Sequence, residues 1–168
     1  VKTDCQGCDG CSSCCRGMGN SIILDPYDIF CLTSGLGKSF DQLLSESLEL
    51  NVVDGIILPN LKMTGKDDCC VFLNASGRCS IHSIRPGFCR LFPLGRVYED
   101  DTFHYFLQIH ECPKPSKTKI KIKKWLGIEN IRQYESFVAD WHFYLKKRQE
   151  TAMNCDSPET VKKLSMEI

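Results

Sequence analysis

Between Ile128 and Arg148 the apolar residues Ile131, Tyr134, Phe137, Val138, Trp141, Tyr144 and Leu145 return every three or four positions. That period puts them on one stripe of a helix, so an amphipathic α-helix is expected over roughly this span. Upstream the signals are shorter. Asp25-Pro26-Tyr27-Asp28 offers an N-cap acid, a proline in the first turn and a carboxylate near the positive helix end. It predicts a helix from Pro26 to about Leu32, which Ser34-Gly35-Leu36-Gly37 ends. Ser39 caps a second helix, Phe40 to about Leu50, with Leu43, Leu44 and Leu48 on one face. Ser157-Pro158-Glu159-Thr160 caps a last short one.

Strand signals occupy the middle of the chain. Cys69-Cys70-Val71-Phe72-Leu73 and Arg78-Cys79-Ser80-Ile81-His82 flank Asn74-Ala75-Ser76-Gly77 and predict a hairpin. Arg85-Pro86-Gly87 then forces a turn. A second hairpin is predicted from Leu94 to Glu99 and Thr102 to Ile109, around Asp100-Asp101, with an imperfect alternation that implies two partly covered faces. Gly55-Ile56-Ile57-Leu58-Pro59 is a short apolar run of the kind found inside globular domains, and no run nears the ~18–20 residues of a membrane span. The expected fold class is α+β, a small cysteine-rich metal-binding domain with short antiparallel hairpins and a C-terminal amphipathic helix. At 168 residues it is expected to be a single domain, with residues 1–113 as the cysteine-cluster part and residues 114–168 as a basic helical part packed on it.

The chemistry is announced by cysteine. Twelve of the residues are cysteine, about 7%, just under the ~8–10% that marks short secreted disulfide scaffolds. Cys5, Cys8, Cys11, Cys14 and Cys15 lie in one Gly- and Ser-rich stretch, and thiolates at three-residue steps let a short loop wrap one metal centre. Cys5, Cys8, Cys11 and Cys15 also spell C-x2-C-x2-C-x3-C, a ferredoxin spacing, with Arg16 where proline is usual. Cys70, Cys79 and Cys89 fall at ends of short strands or turns, and Cys112 follows the last strand, so separate loops can converge on the first run. Disulfides fit poorly, because adjacent pairs such as Cys14-Cys15 are awkward to bridge. Zinc in four-thiolate sites and one or two iron–sulfur clusters both suit the donors. Val1-Lys2-Thr3-Asp4 does not resemble a signal peptide, and the protein is expected in a reducing cytoplasm, although the missing initiator Met also fits a processed precursor.

Charge divides the chain. Residues 1–111 carry 9 Lys+Arg against 14 Asp+Glu and residues 112–168 carry 12 against 7, so a net charge of zero hides a −5 part and a +5 part. Lys114, Lys117, Lys119, Lys121, Lys123 and Lys124 make up much of the excess. They form either a solvated face or a docking patch for an acidic protein partner on Lys114 to Lys124. Nucleic acid is not expected, because Trp125 alone would supply the stacking. Arg16, Arg78, Arg85 and Arg90 stand near cysteines and either offset thiolate charge or pair with Asp25, Asp28 or Asp67. His82, His104, His110 and His142 lack HExxH spacing, and only His110, beside Cys112, is kept as a reserve ligand. Cys31 reads as a buried small hydrophobe and Cys155 as a spare thiol. No Walker loop, GxGxxG element or GxSxG elbow is present, which removes support for nucleotide binding and serine hydrolysis.

Cys8-Asp9-Gly10-Cys11-Ser12-Ser13-Cys14-Cys15-Arg16, then Cys70-Val71-Phe72-Leu73, Gly77-Arg78-Cys79-Ser80-Ile81-His82 and Arg85-Pro86-Gly87-Phe88-Cys89-Arg90-Leu91-Phe92-Pro93, resemble the YkgJ-type cysteine-cluster (CxxCxxCC) proteins. That family is described as a zinc- or iron-chelating domain and includes proteins associated with flagellin lysine N-methylation. The likeness extends from about Cys8 to Tyr144. It implies the ligand role for Cys8, Cys11, Cys14, Cys15, Cys70, Cys79, Cys89 and Cys112. The chain departs from the pattern in having Ser12 directly after Cys11, where the family has glycine, and in the additional Cys5 and Cys69. The expected function is an iron–sulfur protein with an electron-transfer or redox role that works with a protein partner. The alternatives are a protein-modifying, lysine N-methylation-like enzyme, against which stands the lack of a recognisable S-adenosylmethionine fold or CxxxCxxC spacing, and a zinc-stabilised interaction module.

Overall fold

The structure, a computed structural model, describes residues 1–4, 11–155 and 157–167. Helix α1 (Pro26–Leu36) begins at a reciprocal cap: the Asp28 amide donates to Asp25 Oδ1 at 2.8 Å and the Asp25 amide to Asp28 Oδ2 at 3.3 Å. It runs one turn past the expected end. Gly35 lies inside it because a Cβ there would stand 2.6 Å from Ile84, and Gly37, at φ 63°, is the residue that closes the helix. Helix α2 (Phe40–Glu46) opens on the predicted Ser39, whose hydroxyl accepts from the Gln42 amide.

Helix α2 stops short of the expected Leu50 because the chain turns there into a hairpin. Strands β2 (Leu48–Val53) and β3 (Ile56–Leu61) pair antiparallel around Asp54-Gly55, both with positive φ, as a two-residue hairpin turn requires. The leucine spacing suits a helix face, whereas along β2 the exposed Leu50 and Val52 alternate with the half-buried Glu49, Asn51 and Val53, and Leu48 is buried at the start of the strand. Residues 22–24 add along the other side of β3, through Leu24 N to Pro59 O at 2.9 Å and Leu61 N to Ile22 O at 3.0 Å.

The hairpin expected over 69–82 is corrected. Strand β4 (Met63–Thr64) is the partner of β5 (Cys69–Cys70), and between the two predicted arms a single bridge, Leu73 with Cys79, forms a ladder contact. The Asn74 turn itself is present, its side-chain oxygen accepting from the Ser76 and Arg78 amides. A tight turn, His82–Ile84, leads to the short helix α3 (Gly87–Leu91). The second hairpin forms as expected from β6 (Leu94–Glu99) and β7 (Thr102–Leu107). Strand β1 (Lys2–Asp4) pairs with β8 (Thr118–Lys119), and α4 (Ile122–Leu126) follows. Helix α5 (Ile131–Met153) starts three residues after Ile128, where Asn130 caps it, and continues past Arg148; α6 (Pro158–Met166) opens on Ser157. The chain is thus mixed helix and short antiparallel hairpins, as the α+β expectation holds.

Three apolar clusters join these pieces. The largest is built on Leu24, Leu32, Leu43, Leu48, Leu61 and Ile81, and Cys15, Cys79 and Cys89 pack at its margin. A second seats α5 and α6 on β3 through Ile56, Leu58, Leu145, Ala152 and Leu164. A third holds α4 to the α3–β6 corner through Leu91, Leu94, Trp125 and Leu126. Helix α1 is fastened to α3 by Asp28, whose buried carboxylate accepts from the Gly87 amide at 2.8 Å. Burial, with the neighbouring Asp25 charge, pushes the Asp28 carboxyl up to about 7.

Two outcomes are expected. Leu32 is fully buried, and Leu32→Ala should cost about 2–5 kcal/mol in urea unfolding of the metal-loaded protein. Asp28→Ala strands the Gly87 amide and should cost about 1–3 kcal/mol, while Asp28→Asn keeps an acceptor. A carboxyl raised in the folded state holds a proton that the unfolded chain has lost, so it lends stability at low pH that disappears as pH rises through about 7. Unfolding from pH 5 to 8 should therefore show a flatter profile in Asp28→Asn than in the parent.

Candidate metal centre

The described end of the cysteine run makes a tight turn, Ser13–Cys15, with Cys15 N donating to Ser12 O at 2.9 Å. It is then tied to β5 by an Arg16–Cys69 bridge and by Gly17 N to Asp68 O at 2.8 Å. Cys70 ends β5, Cys79 follows the Asn74 turn, and Cys89 sits in the middle of α3. These three segments and the run face one cavity of about 70 Å³, and Cys11, Cys14, Cys15, Cys70, Cys79 and Cys89 all line it. The remaining wall is mostly apolar, with Ile22, Leu61, Ile81, Phe92 and Trp125, and carries Arg78, His82 and Arg85 at its polar part.

The thiols feel one another. A hydrogen bond from Cys15 holds the Cys14 thiol well below the usual thiol range, and Arg85 helps; the same bond and burial push Cys15 up. Burial comes first in raising Cys70, Cys79 and Cys89, and for Cys89 the nearby Cys70, Cys14 and Cys79 add to it. Arg85 and Arg78 oppose the rise at Cys79. Several thiols that share one desolvated space cannot all ionise without a cation among them. A soft divalent metal is the cation that thiolates accept, and zinc or iron therefore fits the donor set. Among the described residues no three side chains of Cys, His, Asp or Glu form a closed cage; the thiols ring the cavity wall instead.

The other sequence candidates fall elsewhere. Cys8 and Cys5 lie outside the described residues. Cys112 is buried but does not line the cavity, and its carbonyl accepts from Lys117 Nζ at 2.7 Å. Cys69 is likewise off the cavity, its sulfur accepting from Arg16 Nη1 at 2.8 Å, while Arg16 also reaches Asp67 at 4.0 Å. Cys31, on α1, is only half-buried and bonds Tyr27; Cys155 is half-buried beyond α5. The ten described cysteines are all free thiols. Arg90 serves the backbone, donating to Ser83 O at 2.5 Å and Leu126 O at 3.3 Å. Asp25 and Asp28 are spent on the α1 cap rather than on surface ion pairs.

His110 is exposed and off the cavity, whereas His82 is on it, in contact with Arg85. Burial and then Arg85 hold the His82 imidazole below its usual range, which keeps it neutral and able to ligate. The signal for it was the C-x2-H step from Cys79. Trp125 had no comparable signal, because only the packing of α4 against α3 brings it to the cavity wall.

No curated protein and no solved structure matches the chain. A family model does, CxxCxxCC, described as "Putative zinc- or iron-chelating domain", and its span, residues 7–113, takes in the turn Ser13–Cys15, β5, the Asn74 turn and α3. With well over half of its length inside that match, and with six thiols of that span around one cavity, the protein belongs to the CxxCxxCC family of zinc- or iron-chelating domains.

Proposed function

We propose that these thiols hold an iron–sulfur cluster and that the protein passes electrons to or from an acidic protein partner. The observation that carries this reading is the gathering of six thiols from four separate segments around one mostly apolar cavity, the shielded all-thiolate setting in which iron–sulfur clusters are held. When bound, such a cluster supplies one-electron chemistry at a potential set by nearby charge, hydrogen bonds and exposure. Ile81, Phe92 and Trp125 keep water from the thiols, and Arg78 and Arg85 offset their negative charge.

The lysine-rich segment supports the partner. Pairing of β8 with β1 sets Lys119 opposite Lys2, at the strand that leads into the cysteine run. Lys121, Lys123 and Lys124 are exposed on and before α4, the helix whose Trp125 forms part of the cavity wall. A basic bank thus adjoins the proposed centre, and a partner of opposite charge would be steered to its nearest face. Zinc is the second reading, favoured by the cavity of about 70 Å³, which suits one ion better than a larger group. The protein would then be a metal-stabilised interaction module.

Anaerobic purification with metal and sulfide analysis decides between them: iron, acid-labile sulfide and visible absorption are expected, and a colourless zinc protein without sulfide removes the redox reading. Cys79→Ser and Cys89→Ser should each cut metal content and colour by more than half, while Cys31→Ser and Cys155→Ser leave both unchanged. Reversal of Lys119, Lys121 and Lys123 to Glu should slow cluster reduction by an acidic electron-transfer protein about tenfold at low salt, with the difference gone near 0.5 M salt.

A further inference from the structure

We propose that two copies of this chain pair through the outer edge of β2 into one antiparallel sheet across a two-fold axis. The hydrogen bonds of β3 show which edge is open. On its far side, Ile57 N donates to Ser165 Oγ at 3.3 Å, Pro59 O accepts from Leu24 N at 2.9 Å, and Leu61 N donates to Ile22 O at 3.0 Å. Outward and inward groups alternate along an antiparallel strand, so Ile56, Leu58 and Asn60 are the residues that bond β2, through their partners Val53, Asn51 and Glu49. The N–H and C=O groups of Leu50 and Val52 therefore point away from β3. Among the described residues no strand lies on that side and no backbone group bonds them.

This edge is not blunted. Strand β2 carries neither lysine nor proline, and its register with β3 runs from Leu48 to Val53 without a bulge. Those are the devices that keep an exposed edge from pairing. The only charged residue of β2, Glu49, is tied to its own sheet, accepting from Asn60 Nδ2 at 3.1 Å. The open residues are also apolar and uncovered, Leu50 by 49% and Val52 by 70%. Ile57, 43% exposed, stands across from Val52 on the same face. Unbonded backbone beside uncovered apolar side chains is completed by another strand with an apolar face.

A second copy of β2 is such a strand. A two-fold axis at Asn51 sets Leu50 opposite Val52 of the other copy, and both such pairs exchange N–H···O bonds, so every open group finds a partner. Glu49 falls opposite Val53 rather than its own copy, and no like charges meet. Leu50, Val52 and Ile57 of both copies then share one face. Leu50 is also a wall of a cleft with Ile29, Phe40 and Trp141, and Val52 of the second copy is set beside it. The strand edge pairs in the same way whether the thiols hold zinc or iron.

Analytical ultracentrifugation of the metal-loaded chain, with amide hydrogen exchange on the same samples, is the test. From about 1 to 100 μM the mass should rise from that of one chain to that of two. The Leu50 and Val52 amides should exchange about tenfold more slowly at the upper concentration. Val52→Lys should hold the mass at one chain throughout, and so should Val52→Pro, which removes only an outward-pointing N–H. Ile109→Lys, at a residue equally exposed at 70%, should leave the dimer intact. A single-chain mass at every concentration, a dimer that either Val52 variant retains, or one that Ile109→Lys also dissolves overturns the proposal. If a variant loses its metal, exchange in the parent decides: a dimer with unchanged exchange at Leu50 and Val52 pairs elsewhere.

Discussion

One hydrogen bond, from the Gly87 amide to the buried Asp28 carboxylate, fixes where helix α3 and its Cys89 stand against α1. Three helices meet there. Asp28 belongs to the first turn of α1, Gly87 opens α3, and the Tyr134 hydroxyl of α5 stands so close that a Cβ on residue 87 would lie 2.6 Å from it. Only glycine permits that approach, and only a carboxylate at 28 serves both the α1 cap and the α3 amide. Because Cys89 is two residues beyond Gly87, the same bond sets how far one wall of the cysteine cavity stands from the core.

The cavity is assembled from pieces that are individually too short to be stable. A one-turn helix, a two-residue strand, a side-chain-pinned turn and a five-residue helix each present one or two thiols. Each leans on a larger apolar cluster: Cys70 is part of the one around Leu32, Leu43 and Leu61, Cys15, Cys79 and Cys89 pack against it, and α3 is also held through Leu91 in the third. Irregular backbone is the natural medium for this. A regular ladder through Cys70 and Cys79 would turn successive side chains to opposite faces, whereas the loop lets thiols from separate segments share one side.

Sequence exposed the helices well, because caps and periods are local. Asp25, Ser39 and Ser157 each cap the helix they announce, and the stripe from Ile131 to Leu145 lies on α5. The hairpin of β2 and β3 was legible in Asp54-Gly55 but was masked by a leucine spacing that fits either period at its start. Gly35 misled for a different reason: a glycine that admits Ile84 looks, in one dimension, like a glycine that ends a helix. The gathering of Cys11, Cys14, Cys15, Cys70, Cys79 and Cys89 follows the spacing and the resemblance. The placing of His82 and Trp125 on the cavity, and of Cys112 away from it, depends on tertiary packing that no local pattern encodes.

The pairing of β1 with β8 has a consequence for biosynthesis. Residues 2–4 leave the ribosome ahead of the cysteine run, yet their strand partner, 118–119, is made only after every cavity cysteine has been synthesised. Contacts so distant along the chain form late and slowly. The strand ahead of the cysteine run therefore stays unpaired until all six cavity thiols have been made, and its pairing closes after the segments that carry them.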